Sequence, residues 1–185
     1  NFAASEVQIS ETETPLHRLE TVYRRLIERL NLSGTREGAF REIIDSWFYS
    51  LEEDVISAGA SSESEVLAAT GKLMEKRLGE VARSAPSFAA VLRAYRRALA
   101  GGEVETAEGL IAWLGGDPTV SAKVKRVAGV KGEIDHKSAL TFLRGLLMVL
   151  RDSGNHGLVL VLDEVETLQR VRTDVREKSL NALRQ

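Results

Sequence analysis

Apolar residues recur at three- and four-residue steps through most of this chain, the periodicity of helices that bury one face. Leu16, Leu19, Val22, Tyr23, Leu26, Ile27 and Leu30 line one such face. Thr14 and Pro15 precede it, a capping hydroxyl and a proline whose missing amide is no loss in a first turn. A helix is therefore predicted from there to about residue 31, closed by Ser33 and Gly34. A second is predicted over 35–57, where Phe40, Ile43, Ile44, Trp47, Phe48, Leu51 and Val55 make the strongest core stripe of the chain. Ser62 and Glu65 form a capping-box pattern that opens a third helix, to about residue 83. Pro86 opens a fourth, carrying Phe88, Val91, Leu92, Tyr95 and Leu99 and closed by Gly101 and Gly102. A fifth over 104–114 stops at Gly115 and Gly116, and Asp117 with Pro118 offers another start. Over 122–133 the pattern weakens.

From 136 to about 152 the sequence is apolar on nearly all sides, which predicts a helix buried between other layers. A turn-rich link, Ser153-Gly154-Asn155-His156-Gly157, leads into Leu158-Val159-Leu160-Val161-Leu162. That run is continuous rather than alternating, so it reads as a strand covered on both faces, as in a parallel sheet. Near the start, Val7 and Ile9 alternate with Glu6, Gln8 and Ser10, which predicts a second strand at a sheet edge. The fold class is α/β and mostly helical, with two strands.

Composition narrows the picture without redirecting it. A chain of 185 residues, 43% hydrophobic and 28% charged, is long enough to bury one good core. Its apolar runs are too short to cross a bilayer, and the start does not read as an export signal, so no membrane association is expected. The absence of cysteine excludes disulfides, thiolate zinc sites and a cysteine nucleophile, and fits a cytoplasmic location. With 25 basic and 27 acidic residues the net charge is -2, so contact with nucleic acid or anionic lipid would have to be local. The chain opens at Asn1 without an initiator methionine and stops at Gln185 inside a helical pattern (Val175, Leu180, Leu183), which reads as a fragment of a longer protein.

The chemistry-bearing feature is the pair Asp163-Glu164 at the end of the apolar strand. Side chains at the carboxyl ends of parallel strands emerge into the crevice where open α/β sheets bind ligands. An aspartate there can hold Mg²⁺ through its water, and an adjacent glutamate can orient and deprotonate an attacking water. Four or five apolar residues followed by Asp-Glu is the Walker B pattern. The bland alternative is that the two carboxylates cap the next helix. The phosphate-gripping loop G-x-x-x-x-G-K-[ST] is missing: at Gly71-Lys72, Leu73 follows where a hydroxyl belongs and Val66 replaces the first glycine.

The stretch 158–185, LVLVLDEVETLQRVRTDVREKSLNALRQ, and the stretch 13–23, ETPLHRLETVY, resemble the ATP-binding proteins of bacteriophage exclusion (BREX) defence systems, the BrxC/BrxD family of AAA-type P-loop ATPases. The resemblance covers most of the chain and is most specific in those two stretches. It implies that Asp163 is the magnesium aspartate, acting on ATP-bound Mg²⁺ through water, and that Glu164 is the catalytic glutamate; Glu166 is the less secure match. It implies an internal fragment with two adjacent parallel strands, in which 1–34 supply an edge strand and helix of the ATPase core, 35–131 a large helical insertion, and 132–185 a helix, the Walker B strand and the helix after it. Such a fragment, lacking the phosphate loop, is expected to be inactive alone, with ATP and Mg²⁺ bound only in the intact protein. The implied partners are DNA and other defence-system proteins, with self-assembly on ATP. The rival reading is a helical protein-interaction or DNA-binding module without nucleotide chemistry.

Other residues fit blander roles. His17 reads as a surface or capping histidine, and His136 and His156 lack metal-ligand spacing. Arg170, Arg172 and Arg176 fit a solvated helix surface. Three basic groups have the composition of phosphate-backbone contacts: Tyr23-Arg24-Arg25, Arg93-Ala94-Tyr95-Arg96-Arg97, and Lys123, Lys125, Arg126 with Lys131. Each tyrosine also fits the apolar face of its helix.

Overall fold

Strand β1 (Phe2–Gln8) turns Ala3, Ser5 and Val7 into the core and leaves Phe2, Ala4, Glu6 and Gln8 outside, the two-residue period its sequence carries. In the computed structural model, which describes residues 1–32 and 37–184, β1 pairs in parallel with β3 (Gly157–Asp163), in register from Phe2 opposite Gly157 to Gln8 opposite Asp163. The two predicted strands are thus adjacent and parallel. A third, β2 (Asn31–Leu32), was not anticipated; it pairs antiparallel with Ala3 and Ala4, giving the order β2-β1-β3.

Two expectations are corrected by this sheet. β1 is its middle strand rather than an edge, because the chain leaving helix α1 (Leu19–Glu28) returns alongside it. β3 is covered on one face only. Leu158, Leu160 and Leu162 pack toward the core, whereas Val159 and Val161 are 47% and 50% exposed. A continuous apolar run states which faces tolerate burial, and among the described residues nothing covers the second face.

The helices follow the predicted order: α2 (Ala39–Ser57), α3 (Glu63–Ser84), α4 (Pro86–Ala100), α5 (Val104–Leu114), α6 (Ala122–Val127) and α7 (His136–Asp152). A 3₁₀ turn (Val165–Gln169) and α8 (Thr173–Ala182) follow β3. The capping box of α3 forms as read, with the Ser62 hydroxyl accepting from the Glu65 amide and the Glu65 carboxylate accepting from the Ser62 amide. Pro86 sits in the first turn of α4. At α1 the reading was wrong: Thr14, Pro15 and Leu16 are buried in the loop before the helix, and Ser10 Oγ accepts from the amides of Glu13 and Thr14. Local side-chain bonding there competes with helix formation. Asp117 likewise closes a turn on Thr119 rather than opening a helix; the short α6 starts instead from Ser121, inside the weakly patterned stretch. The predicted junction at Ser33, Gly34 and Thr35 lies outside the described residues, as does Gln185.

A single apolar core joins helices and sheet. Its centre is aromatic: Phe142 of α7 meets Phe88 of α4, Tyr23 of α1 and Trp113 of α5 edge-on, with ring centroids 5.4, 6.1 and 5.8 Å apart. α7 buries Ala139, Phe142, Gly145, Leu146, Val149 and Leu150 on one face and half-buries Leu140, Leu143, Leu147 and Met148, so it is less enclosed than predicted. The Trp47 indole donates to Asp152 at the end of this helix, just ahead of β3. No helix among the described residues is long and apolar enough to cross a membrane.

Candidate functional site

The site is built where β1 and β3 end together. Their parallel register sets Gln8 beside Asp163, and the Ile9 amide donates to the Asp163 carbonyl at 3.0 Å, carrying the pairing to the last residue. The chain then turns sharply at Glu164, which takes the left-handed conformation with φ 57° and ψ 28°. Among the described residues it is the only one other than glycine with positive φ. A glutamate has no local bond that makes this region easy, so neighbouring contacts must hold it there.

Two such contacts are present. The Glu164 amide donates to Asp163 Oδ1 at 2.8 Å, and the Gln8 side-chain amide donates to Glu164 Oε1 at 2.7 Å. Each acid therefore has one carboxylate oxygen engaged within the site. Both side chains are exposed and line a crevice of about 510 Å³ at the strand ends, with Ser10, Thr12, Glu13 and Thr14 of the loop after β1 and Arg25 and Arg29 of the α1 end. Arg25 is tied to Glu28 at 2.8 Å and to Glu13 at 3.7 Å.

The capping alternative makes a geometric demand that Glu164 does not meet. It occupies the position ahead of the 3₁₀ turn, yet its carboxylate accepts no bond from that turn, and α8 begins later, at Thr173, with Arg172 at the cap position and no side-chain cap. Glu166 is exposed within the turn and does not line the crevice.

A divalent ion would find one exposed aspartate here, not a cage: no group of three or more His, Asp or Glu side chains among the described residues is arranged to hold a metal. That donor set fits Mg²⁺, which keeps most of its waters and binds through one or two carboxylates together with substrate phosphates.

The other sequence candidates lie elsewhere. His17 is half-buried and lines a small hollow with Leu168 and Ser179, and its Nδ1 is enclosed without a protein partner. His136 accepts from the Leu19 amide and lies 3.8 Å from Glu20, and His156 rests on the Phe2 ring. Gly71 and Lys72 are in the middle of α3. Gln8 and Arg29 were not singled out by sequence reasoning, and Arg25 only as part of a basic group with the composition of a phosphate-backbone contact; the strand register and the position of α1 bring them to this crevice.

No curated protein and no solved structure matches this chain. Across residues 1–185 it matches the family model described as BREX system ATP-binding protein BrxC/D, and the chain belongs to that family.

Proposed function

We propose that Asp163 and Glu164 are the metal- and water-handling acids of an ATP-hydrolysing site, on a P-loop sheet of AAA type in which β1 and β3 are neighbouring strands. In this reading 1–34 and 132–185 belong to the ATPase core and 35–131 are a helical insertion. The observation that carries it is the pair of exposed acids at the joined carboxyl ends of two parallel strands, with Glu164 held in a strained conformation by Gln8. Membership of an ATP-binding family supplies the ligand class.

The free oxygen of Asp163 is the one available to a magnesium-bound water, since the other accepts the Glu164 amide. Magnesium, when bound, neutralises charge on the phosphates. Glu164 orients a water with the oxygen that Gln8 leaves free and takes its proton as the water oxygen bonds to the γ-phosphorus. The bond from that phosphorus to the bridging oxygen breaks, and ADP leaves. The 185 residues contain no G-x-x-x-x-G-K-[ST] loop, so turnover needs a phosphate-binding element supplied from outside them. DNA, other defence-system proteins and further copies of the protein are the partners this cycle would act on.

The test is Glu164→Gln in the full-length protein that contains this sequence. ATP affinity should be retained and turnover lost by about 100-fold or more, the scale of a positioned general base. Unchanged turnover would remove the assignment.

A further inference from the structure

The three basic clusters of the sequence are treated differently by the fold. Arg24 and Arg25 are paired with Glu28 and Glu13, and Tyr23 is buried with its hydroxyl donating to the Leu114 carbonyl. Arg93 is gripped through two nitrogens by Glu75 at 2.7 and 2.6 Å, and Arg96 lies over Gly71 and donates to the Leu67 carbonyl. Arg24, Arg25, Arg93 and Arg96 are thus partnered, whereas Arg97 is exposed with no ion pair among the described residues. In the third cluster no ion pair among the described residues involves Lys123, Lys125, Arg126 or Lys131, and Arg126 Nε donates to the Ala122 carbonyl one turn back at 3.3 Å.

Helix α6 buries none of its six residues. It is anchored by Val124, whose two methyl carbons lie so close to Gly109 of α5 that a Cβ there would be 3.0 Å from each. With Val124 inward, a turn of about 100° per residue sets Lys125, Arg126 and Lys123 at roughly 100°, 200° and 260° around the axis. Lys123 and Arg126 are exposed on the outward side, and Lys125 is half-buried at its flank. Lys131 continues the patch between Gly129 and Gly132, both of positive φ and both facing open space. Asp117 accepts both bonds from Thr119 and lies within electrostatic reach of Lys125; Asp135 accepts both bonds from Ser138, and Glu133 is exposed. Residues 119–132 hold four cations and no acid, in a chain of net charge -2.

We propose that the outward face of α6, with Lys131, binds the phosphate backbone of duplex nucleic acid. Cations without ion pairs on an exposed helix serve phosphate contacts, which need charge and reach but no shaped pocket. Residues 119–132 contain no aromatic side chain, and Val127, 42% exposed, is the large apolar one that α6 shows to solvent, so the face lacks the apolar core of a protein interface. The site stands apart from the nucleotide reading and survives its failure.

Fluorescence anisotropy of the 185-residue chain with a labelled duplex of mixed sequence, at 50 and 200 mM salt, tests it. The wild type should bind and lose affinity steeply with salt. In the triple variant Lys123→Ala, Lys125→Ala, Arg126→Ala, about 40-fold of that salt-dependent loss should disappear, the share of roughly three phosphate contacts. The double variant Arg93→Ala, Arg97→Ala should retain the wild-type salt slope. Circular dichroism melts establish that the variants fold. An unchanged affinity and slope in the folded triple variant overturns the proposal, as does failure of the wild type to bind duplex at 50 mM salt. Equal binding of poly-glutamate at matched charge overturns it in favour of an acidic protein partner.

Discussion

Gly145→Ala tests the packing that seats α7 and, through it, the site-bearing strand β3. A Cβ built at Gly145 falls 2.8, 2.9 and 3.0 Å from three atoms of the Phe88 ring. That ring is fully buried and held edge-on by Phe142, so it has no free volume to move into. Overpacking of this kind costs about 1–3 kcal/mol, and contacts under 3 Å place it toward the upper end. Alanine in a helix interior gains about 1 kcal/mol over glycine by propensity. The net is a loss of about 2 kcal/mol, which lowers Tm by about 4–8 °C in a chain of this size. Gly79 in α3 is the internal control, since it is helical and exposed and a Cβ there meets nothing within 4 Å. Gly79→Ala should raise Tm by about 2–4 °C from the propensity term alone. Calorimetric melts of the two variants beside the wild type, in one buffer, read both numbers. A Gly145→Ala protein melting at or above the wild type would refute the steric argument.

Gln8→Ala in the full-length protein should leave the KM for ATP near its wild-type value and lower kcat about tenfold, through lost orientation of Glu164. A rise in kcat would show that Gln8 restrains the glutamate instead. Burial raises the Tyr23 hydroxyl far above the ordinary tyrosine range, so folded Tyr23 stays neutral where the unfolded chain ionises. Its contribution to stability is complete below about pH 10 and is lost as pH rises above that. Urea titrations between pH 9 and 11 should show stability falling, and Tyr23→Phe should reduce the loss across that interval by about 1.4 kcal/mol; an unchanged loss would contradict the burial argument.

The helical part of the fold is legible because its signals are local. Ser62 with Glu65, Pro86, and the apolar steps from Phe40 to Val55 each specify an element through residues within a few positions of one another. What stayed hidden depends on distant pairing. β2 exists because Asn31 and Leu32 find Ala4 and Ala3, and two residues carry no periodicity to announce that. The middle position of β1 follows from the same return. At Thr14 a valid cap pattern was outcompeted by Ser10, whose hydroxyl collects two amides first. In the candidate site, Asp163 and Glu164 could be named from the strand preceding them, but their partner Gln8 lies 156 residues from Glu164 and is found only through strand register.

That partner also bears on the choice between chemistry and capping. An acid serving only to start the next turn would aim its carboxylate at the amides ahead of it and could sit in an easy conformation. Glu164 does the reverse: it accepts no bond from the 3₁₀ turn, adopts positive φ, and turns one oxygen back to the neighbouring strand. Non-glycine residues in this region cost on the order of 1 kcal/mol or more and persist where their surroundings fix them. Glycine would relieve the backbone at that corner, so what glutamate adds is the carboxylate, exposed over the crevice beside Asp163. The strain is accounted for if the Glu164 carboxylate has work to do over the crevice, while the local backbone bond at this corner is taken by Asp163, whose Oδ1 accepts the Glu164 amide.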